Sequence, residues 1–269
     1  MSNAAKRPRV LVVANQKGGV GKTTTAINLG TALAAVGEPT LVMDLDPQGN
    51  ASTGLGVPQA DRRRTTYDVL MGEANIEEAI QPTKIPRLSL VPATVDLSGA
   101  ELELIDMDRR NFRLKDAIEH YSVHGASQFS YILIDCPPSL TLLTVNAMSA
   151  ADAVVVPLQC EFFALEGLSQ LLKTIERVRV NLNPTLELQG VILTMFDKRN
   201  NLSDQVAADV REHLGDKVYR TVIPRNVRIS EAPSHGLPAL VYDLRCPGSQ
   251  AYIKLAGELI QRERARLAA

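Results

Sequence analysis

The stretch Ala14-Asn15-Gln16-Lys17-Gly18-Gly19-Val20-Gly21-Lys22-Thr23-Thr24-Thr25 constrains this chain more than any other part of it. It follows the apolar, β-branched run Arg9 to Ala14 and opens a helical pattern from Lys22 to about Val36, with Gly37 as the stop signal. Gly18, Gly19 and Gly21 allow backbone conformations closed to other residues, so that successive N–H groups turn toward one anion. The positive end of a helix beginning near Lys22 adds to that field. A strand, a glycine loop ending in Gly-Lys-Thr and a helix, in that order, are the context of a phosphate-binding loop. There Lys22 reaches the β- and γ-phosphates of a nucleotide and the Thr23 hydroxyl ligates Mg²⁺. One departure stands out: the usual pattern G-x-x-x-x-G-K-[ST] has glycine where this chain has Gln16, and a second lysine, Lys17, lies five residues before Lys22. The plainer alternative is a glycine-rich turn that holds no ligand.

The rest of the chain repeats the alternation. Thr40 to Asp44, Leu88 to Val91, Tyr131 to Asp135, Ala153 to Pro157, Leu188 to Met195 and Lys217 to Ile223 read as strands. Helical patterns centre on Leu142 to Ala150, Leu165 to Val180, Ser203 to Leu214 and Ser249 to about Arg266. Strands apolar on both faces, each followed by a helix, imply a parallel sheet covered on both sides. The expected class is α/β: a P-loop NTPase-like αβα sandwich with a mostly parallel central sheet flanked by helices. Residues 1–8 read as a flexible N-terminal tail and residues 9–269 as a single domain, with the polar stretch Asp61 to Pro86 a surface excursion within it. The 269 residues suit about one or two domains. No apolar run approaches the ~20 residues that span a bilayer, and the N-terminus lacks the apolar core of a signal peptide, which points to a cytoplasmic protein. Cys136, Cys160 and Cys246 are odd in number and far apart, against a disulfide framework or a CxxC metal site.

Acidic residues fall where the chemistry needs them. Asp44 and Asp46 come at the C-terminal end of the second strand, the edge where ligands bind in open α/β sheets. Spaced by two, they share a direction if strand geometry persists; the alternative is a loop cap at Asp44 and a turn at Asp46-Pro47. Asp135 ends an apolar strand, the expected place for a carboxylate holding Mg²⁺ or its water shell, and Pro137 and Pro138 stiffen the loop that follows. Cys136 reads as a small buried residue.

KGGVGKTTT resembles the deviant Walker A motif of the ParA/MinD superfamily. Met43 to Asn50 (MDLDPQGN), Ile134 to Ser139 (IDCPPS), Glu161 to Gln170 (EFFALEGLSQ) and Thr221 to Arg228 (TVIPRNVR) look like its chromosome-partitioning ParA (Soj) branch, covering residues 9 to about 260. The resemblance implies a Mg²⁺-dependent ATPase whose nucleotide-binding residues are Lys17, Gly18, Gly19, Val20, Gly21, Lys22, Thr23 and Thr24. Met195, Pro224, Arg225 and Asn226 would flank the adenine. Asp46 would orient or activate the attacking water, acting with Lys17 and Lys22, and Thr23, Asp135 and Asp44 would serve the metal. Lys17 becomes the signature lysine, crossing the interface of an ATP-dependent homodimer to its partner's phosphates. Arg199 and Arg228 match positions used for nonspecific DNA binding, and a ParB-type centromere-binding protein would accelerate hydrolysis. The expected setting is cytoplasmic and nucleoid-associated, with no membrane.

The overall charge of -1 argues against a globally basic nucleic-acid binder, yet the charge is segregated. Before residue 196 there are 17 basic and 21 acidic residues; from 196 onward there are 12 and 9. A modest basic excess can contact phosphates without reading bases. Three other readings compete. A MinD-like membrane ATPase needs an amphipathic C-terminal anchor, whereas the stripe Tyr252, Leu255, Ala256, Leu259 and Ile260 is more simply a helix packed on its own core. A metabolic P-loop enzyme would phosphorylate or ligate a small molecule. An iron–sulfur reductase would need cysteines from two subunits.

Overall fold

The computed structural model describes residues 7–124 and 128–268. Seven strands form one sheet: β1 Arg9–Val13, β2 Thr40–Asp44, β3 Gln81–Pro82, β4 Leu88–Val91, β5 Tyr131–Asp135, β6 Ala153–Gln159 and β7 Glu187–Thr194. Their spatial order is β3-β4-β2-β5-β1-β6-β7. Every pair is parallel except the two-residue edge strand β3 against β4. From β1 the chain first builds outward through β2 on one side and later through β6 on the other. The carboxyl end of β1 is thus the switch point where open α/β sheets bind ligands.

Both faces are covered, as continuous apolar strands require. Alternation along β1 sends Val10 and Val12 into one core and Leu11 into the other. On the first face Leu114, Leu143, Leu168 and Val206 come from the helices Arg113–His124, Leu142–Ala150, Ala164–Asn181 and Asn201–Leu214. On the second, Ile27, Leu29 and Leu33 of the helix Lys22–Ala35 meet Tyr252, Leu255 and Leu259 of the helix Pro247–Ala268. The apolar stripe of the C-terminal helix is therefore spent on the core. Among the described residues no helix is long and apolar enough to cross a membrane. Gly30 lets the helix Lys22–Ala35 lie close on the sheet, since a Cβ there would come within 3.1 Å of Val42.

Three places differ from the sequence expectation. Lys217 to Ile223 is not a strand: a 3-10 turn at Gly215–Lys217 leads into extended chain that touches β7 only through isolated bridges at Val191–Val218 and Phe196–Pro224. Its hydrogen bonds to β7, Tyr219 N to Val191 O (2.9 Å) and Ile223 N to Leu193 O (2.8 Å), are too sparse for a ladder. The cause lies at Gly190, where the Lys217 carbonyl and the Tyr219 ring crowd the backbone; a Cβ there would sit 2.7 Å from that carbonyl oxygen. The polar excursion Asp61 to Pro86 contains two short helices, Thr66–Met71 and Ile76–Ala79, besides β3. It is tied inward where the Thr66 hydroxyl donates to the carbonyl of Asp44 at 2.6 Å. The helix Arg113–His124 had no counterpart in the sequence reading. Of the tail expected at residues 1–8, residues 1–6 lie outside the described residues, and Arg7 faces Asp152 at 3.6 Å.

Two glycines give a paired test. Gly190→Ala should destabilise by about 1–3 kcal/mol, because the added methyl meets backbone. Gly257 lies within the helix Pro247–Ala268 with open space around it, so Gly257→Ala should be neutral or stabilising by up to ~1 kcal/mol. Urea midpoints of the two variants check the contrast; equal midpoints would remove the steric account.

Candidate nucleotide-binding site

The loop from Ala14 to Gly21 leaves the carboxyl end of β1 and enters the helix Lys22–Ala35 through Gly21. Gly19 (φ +76°) and Gly21 (φ +89°) are left-handed, the conformation that glycine takes at least cost. Asn15 braces the loop: its amide donates to the Pro157 carbonyl (2.8 Å) and its Oδ1 accepts the Lys17 N–H (3.0 Å). The Thr194 hydroxyl, at the end of β7, donates to the Val20 carbonyl (2.8 Å). Lys22 is buried, and its ammonium arcs back to the Lys17 carbonyl at 2.9 Å. Burial pushes the Lys22 pKa down while Asp135 pulls it up. Pro138 sits 3.9 Å from the position of a Cβ on Gly18, so the rigid Pro137-Pro138 loop roofs the glycines.

Asp44 and Asp135 end neighbouring strands as register partners. Both are fully buried, yet their surroundings differ. Asp44 is satisfied: Oδ2 accepts the Ser52 N–H (2.8 Å) and hydroxyl (2.7 Å), and Oδ1 accepts the Asp46 N–H (3.2 Å). Burial still raises its pKa to about 6. Neither oxygen of Asp135 has a hydrogen-bond partner. Burial first, then the Asp44 charge, lifts the Asp135 pKa well above the usual range; the Thr23 hydroxyl, nearby but short of good hydrogen-bond geometry, pulls the other way. A buried, unpartnered carboxylate is costly unless something cationic completes it. Asp135 is the open acceptor of the pair, whereas the oxygens of Asp44, expected to serve a metal with it, accept from Ser52 and from the Asp46 N–H.

Strand geometry does not persist to Asp46. The strand stops at Asp44, and Asp46 heads a turn in which its Oδ1 accepts the Gln48 N–H (3.0 Å) and its carbonyl accepts the Gly49 N–H (2.8 Å). Asp46 remains mostly buried and electrostatically coupled to Lys22 and Asp135. Among the described residues no group of three acidic, His or Cys side chains is arranged as a cation cage. This fits Mg²⁺ sites in which phosphates and waters complete the coordination around one or two protein ligands.

A cavity of about 330 Å³ opens beside the loop, and Met195, Pro224, Arg225 and Asn226 line it together with Gly21 and Thr24. Met195 adopts φ +48°, uncommon without glycine, just where β7 gives way to this cavity. Sequence reasoning missed Thr194, Ile229, Ser230 and Tyr252, which also line it and carry no motif of their own.

Lys17 does not line this cavity. It is half exposed and forms an ion pair with Glu161. Arg199 and Arg228 lie outside the nucleotide site, and each is paired locally. Arg199 clamps Asp197 with Nη2 (2.8 Å) and Nε (3.0 Å), holding that carboxyl down at about 2. Arg228 meets Glu231 (3.0 Å) and Asp243 (3.6 Å). The cysteines carry no cluster chemistry: Cys136 and Cys160 are buried in one core, and burial pushes both thiols up, away from the thiolate an iron–sulfur site needs.

The buried acids fix a pH dependence. Asp44 and Asp135 bind protons more tightly folded than unfolded, so the stability this contributes is present below about pH 4 and is lost as pH rises toward and past 6. Carboxyls held down by partners, such as Asp68 and Glu258, titrate below that window and act in the opposite sense. The melting temperature of the nucleotide-free protein should therefore fall between pH 5 and 7. Asp135→Asn should flatten that fall and raise the value at pH 7; a wild-type curve rising over this interval would contradict the assignment.

An AAA domain family model matches residues 8–188. The chain is 67% identical over 260 residues to the chromosome partitioning protein ParA of Caulobacter vibrioides, covering 97% of each chain. It is 51% identical over 251 residues to the sporulation initiation inhibitor protein Soj of Bacillus subtilis, covering 93% of this chain and 98% of that one. Among solved structures, cobyrinic acid a,c-diamide synthase from Mycobacterium smegmatis with bound ATP analog and magnesium superposes with a TM-score of 0.83 at 36% identity, covering 96% of each chain. The chain belongs to the ParA/Soj family of chromosome-partitioning ATPases.

Proposed function

We propose that this chain is a DNA-segregation ATPase acting as one unit over residues 9–269, in which ATP binding joins two copies face to face and the dimer holds DNA without sequence preference. The observation that carries the reading is the unpartnered Asp135 carboxylate beside a glycine loop whose lysine is tethered to its own backbone. Both groups lack the ligand that would complete them, and a nucleotide with its cation supplies both.

On this reading the loop N–H groups from Gly18 to Thr24 cradle the phosphates, and Lys22 exchanges the Lys17 carbonyl for the γ-phosphate. Thr23 and Asp135 would hold Mg²⁺, which would supply neutralisation of the phosphate charge. Asp44 keeps the Asp46 turn in place by accepting the Asp46 N–H on Oδ1, while Ser52 holds its Oδ2. Asp46 orients the attacking water, a sufficient role where catalysis is mainly positioning and charge stabilisation. The adenine occupies the cavity lined by Met195, Pro224, Arg225 and Asn226. Lys17 releases Glu161 and reaches the partner's phosphates, compensating charge only when two loaded copies meet.

Arg199 and Arg228 offer the DNA contacts. Their ion pairs are exposed and screened by solvent, so a phosphate displaces the carboxylate readily. Two weak patches on one dimer act as a bivalent site, which makes DNA affinity follow nucleotide state. A ParB-type centromere-binding partner accelerates hydrolysis and returns the protein to its free state, and the assembly is nucleoid-associated. A membrane-anchored reading is disfavoured because the apolar stripe of the C-terminal helix packs on the helix Lys22–Ala35.

Two measurements test this. DNA retention with ATP, ADP or no nucleotide should be strong only with ATP and weakened by Arg228→Ala; retention indifferent to nucleotide would overturn the switch. Asp46→Ala should lower ATP turnover on the order of a hundredfold while leaving ATP binding intact; normal turnover would remove Asp46 from the mechanism.

A further inference from the structure

A groove of about 1080 Å³ lies at β7, the last strand of the sheet, and shares no lining residue with the base cavity. It is bounded by the chain from Gly215 to Thr221 and by the helices Asn201–Leu214 and Pro247–Ala268. Side chains already occupy the backbone groups there. Glu258 accepts the N–H groups of Arg220 (2.8 Å) and Thr221 (3.0 Å), Arg262 donates to the Val218 carbonyl (2.9 Å), and Lys217 donates to the Leu188 carbonyl (3.1 Å). An added β-strand would find these groups taken, so side chains must hold any occupant.

The lining holds five cations and three acids. Arg262 is held by Glu258 (2.9 Å) and by the Tyr219 ring (4.1 Å), Arg266 by Glu263 (3.2 Å), and Glu187 faces Arg9 (3.6 Å). Arg211, Lys217 and Arg220, all exposed, have no ion-pair partner among the described residues, and Asp216 is the one acid of the lining left unpaired. The free cations outnumber that acid, so the groove calls for an anion. Its size and its mixture of charges decide which. Small-molecule pockets run to about 1,000 Å³ and enclose most of their ligand; a phosphate-sized ion would engage one of these side chains and leave the others bare. Duplex DNA carries one charge per ~1.7 Å of axis, so phosphates would fall opposite Glu187, Asp216 and Glu258 as well as opposite the cations. A peptide spaces its carboxylates and sets neutral groups between them, and Leu214, Val218 and Ala265 of the lining suit its aliphatic side chains. Residues 1–6 of this chain contain Lys6 and no acid, so they have the wrong sign for the groove.

We propose that this groove docks an acidic peptide segment of a partner protein, whose carboxylates are taken by Arg211, Lys217 and Arg220. Guanidinium forks bind carboxylate oxygens in pairs, and the ammonium adds a point charge. The groove meets the amino-terminal part of β7 at Glu187 and Gln189, whereas the phosphate loop meets its carboxyl end at Thr194. A docked partner therefore leaves the nucleotide site open, and the proposal stands independently of the ATP and DNA readings above.

The test uses the full chain and two short fluorescein-labelled peptides, one alternating glutamate with alanine and the other glutamine with alanine. Fluorescence anisotropy is read for wild type, Arg211→Glu, Arg220→Glu and Arg264→Glu, the last an exposed arginine of the helix Pro247–Ala268 that lies outside the lining. Wild type should bind the glutamate peptide and not the glutamine one. Arg211→Glu and Arg220→Glu should each weaken that binding by about tenfold or more, as the loss of a charge-assisted hydrogen bond requires, with the DNA-free ATPase rate unchanged. Arg264→Glu should bind as wild type does. Equal binding of the two peptides, or a loss in Arg264→Glu as large as in the other variants, would overturn the proposal, because the attraction would not then come from this groove. DNA retention that falls in Arg211→Glu and Arg220→Glu while peptide binding holds would also overturn it and give the groove to nucleic acid.

Discussion

The arrangement of this molecule turns on one unsatisfied group, the Asp135 carboxylate at the carboxyl end of a central strand. Burial beside Asp44 lifts its pKa well above the usual carboxylate range, and neither oxygen has a hydrogen bond of good geometry to offset the cost. Around it the chain places the groups of a nucleotide site. Ser52 and the Asp46 N–H occupy Asp44, leaving Asp135 as the open acceptor, and Lys22 is folded onto the Lys17 carbonyl instead of extending into open space. The loop is tied to its neighbours by its own Asn15, which donates to the Pro157 carbonyl of β6, and by Thr194 of β7, which donates to the Val20 carbonyl. The sheet therefore pre-positions a site whose electrostatic balance only a nucleotide and its metal complete.

Much of this was legible in the sequence, for definite reasons. Strands buried on both faces must be continuous apolar runs, so Thr40–Asp44, Leu88–Val91 and Tyr131–Asp135 have the bounds their sequence suggests. The glycine loop was legible because its conformation is local. What escaped depends on contacts between distant segments. Lys217 to Ile223 has strand composition, but Gly190 admits the crossing of Tyr219 that breaks the ladder. The turn at Asp46 replaces the strand geometry that would have aligned it with Asp44. Glu161 had no assigned role until the fold brought it to Lys17. Asp197 immediately precedes the basic stretch that begins at Lys198, so the charge of that stretch gave no sign of the pairing with Arg199.

The charge balance acquires a structural meaning. A net charge of -1 hides basic side chains that the free protein neutralises one at a time: Lys17 with Glu161, Arg199 with Asp197, Arg228 with Glu231 and Asp243. Each pair is exposed and weak, so each cation is held without being committed. A strongly basic protein would stay on DNA whatever nucleotide it carried. Local pairing permits the opposite behaviour, in which polyphosphate ligands compete for cations that carboxylates hold in their absence.

In the proposed function Lys17 serves the partner's nucleotide and not its own. Sedimentation of wild type and Lys17→Ala with Mg²⁺ and a nonhydrolysable ATP analogue, alongside a direct measurement of nucleotide affinity, tests it most directly. The account predicts that wild type shifts to a dimer, while Lys17→Ala binds the analogue at monomer concentrations with unchanged affinity and stays monomeric. A Lys17→Ala protein that dimerises as wild type does would contradict it.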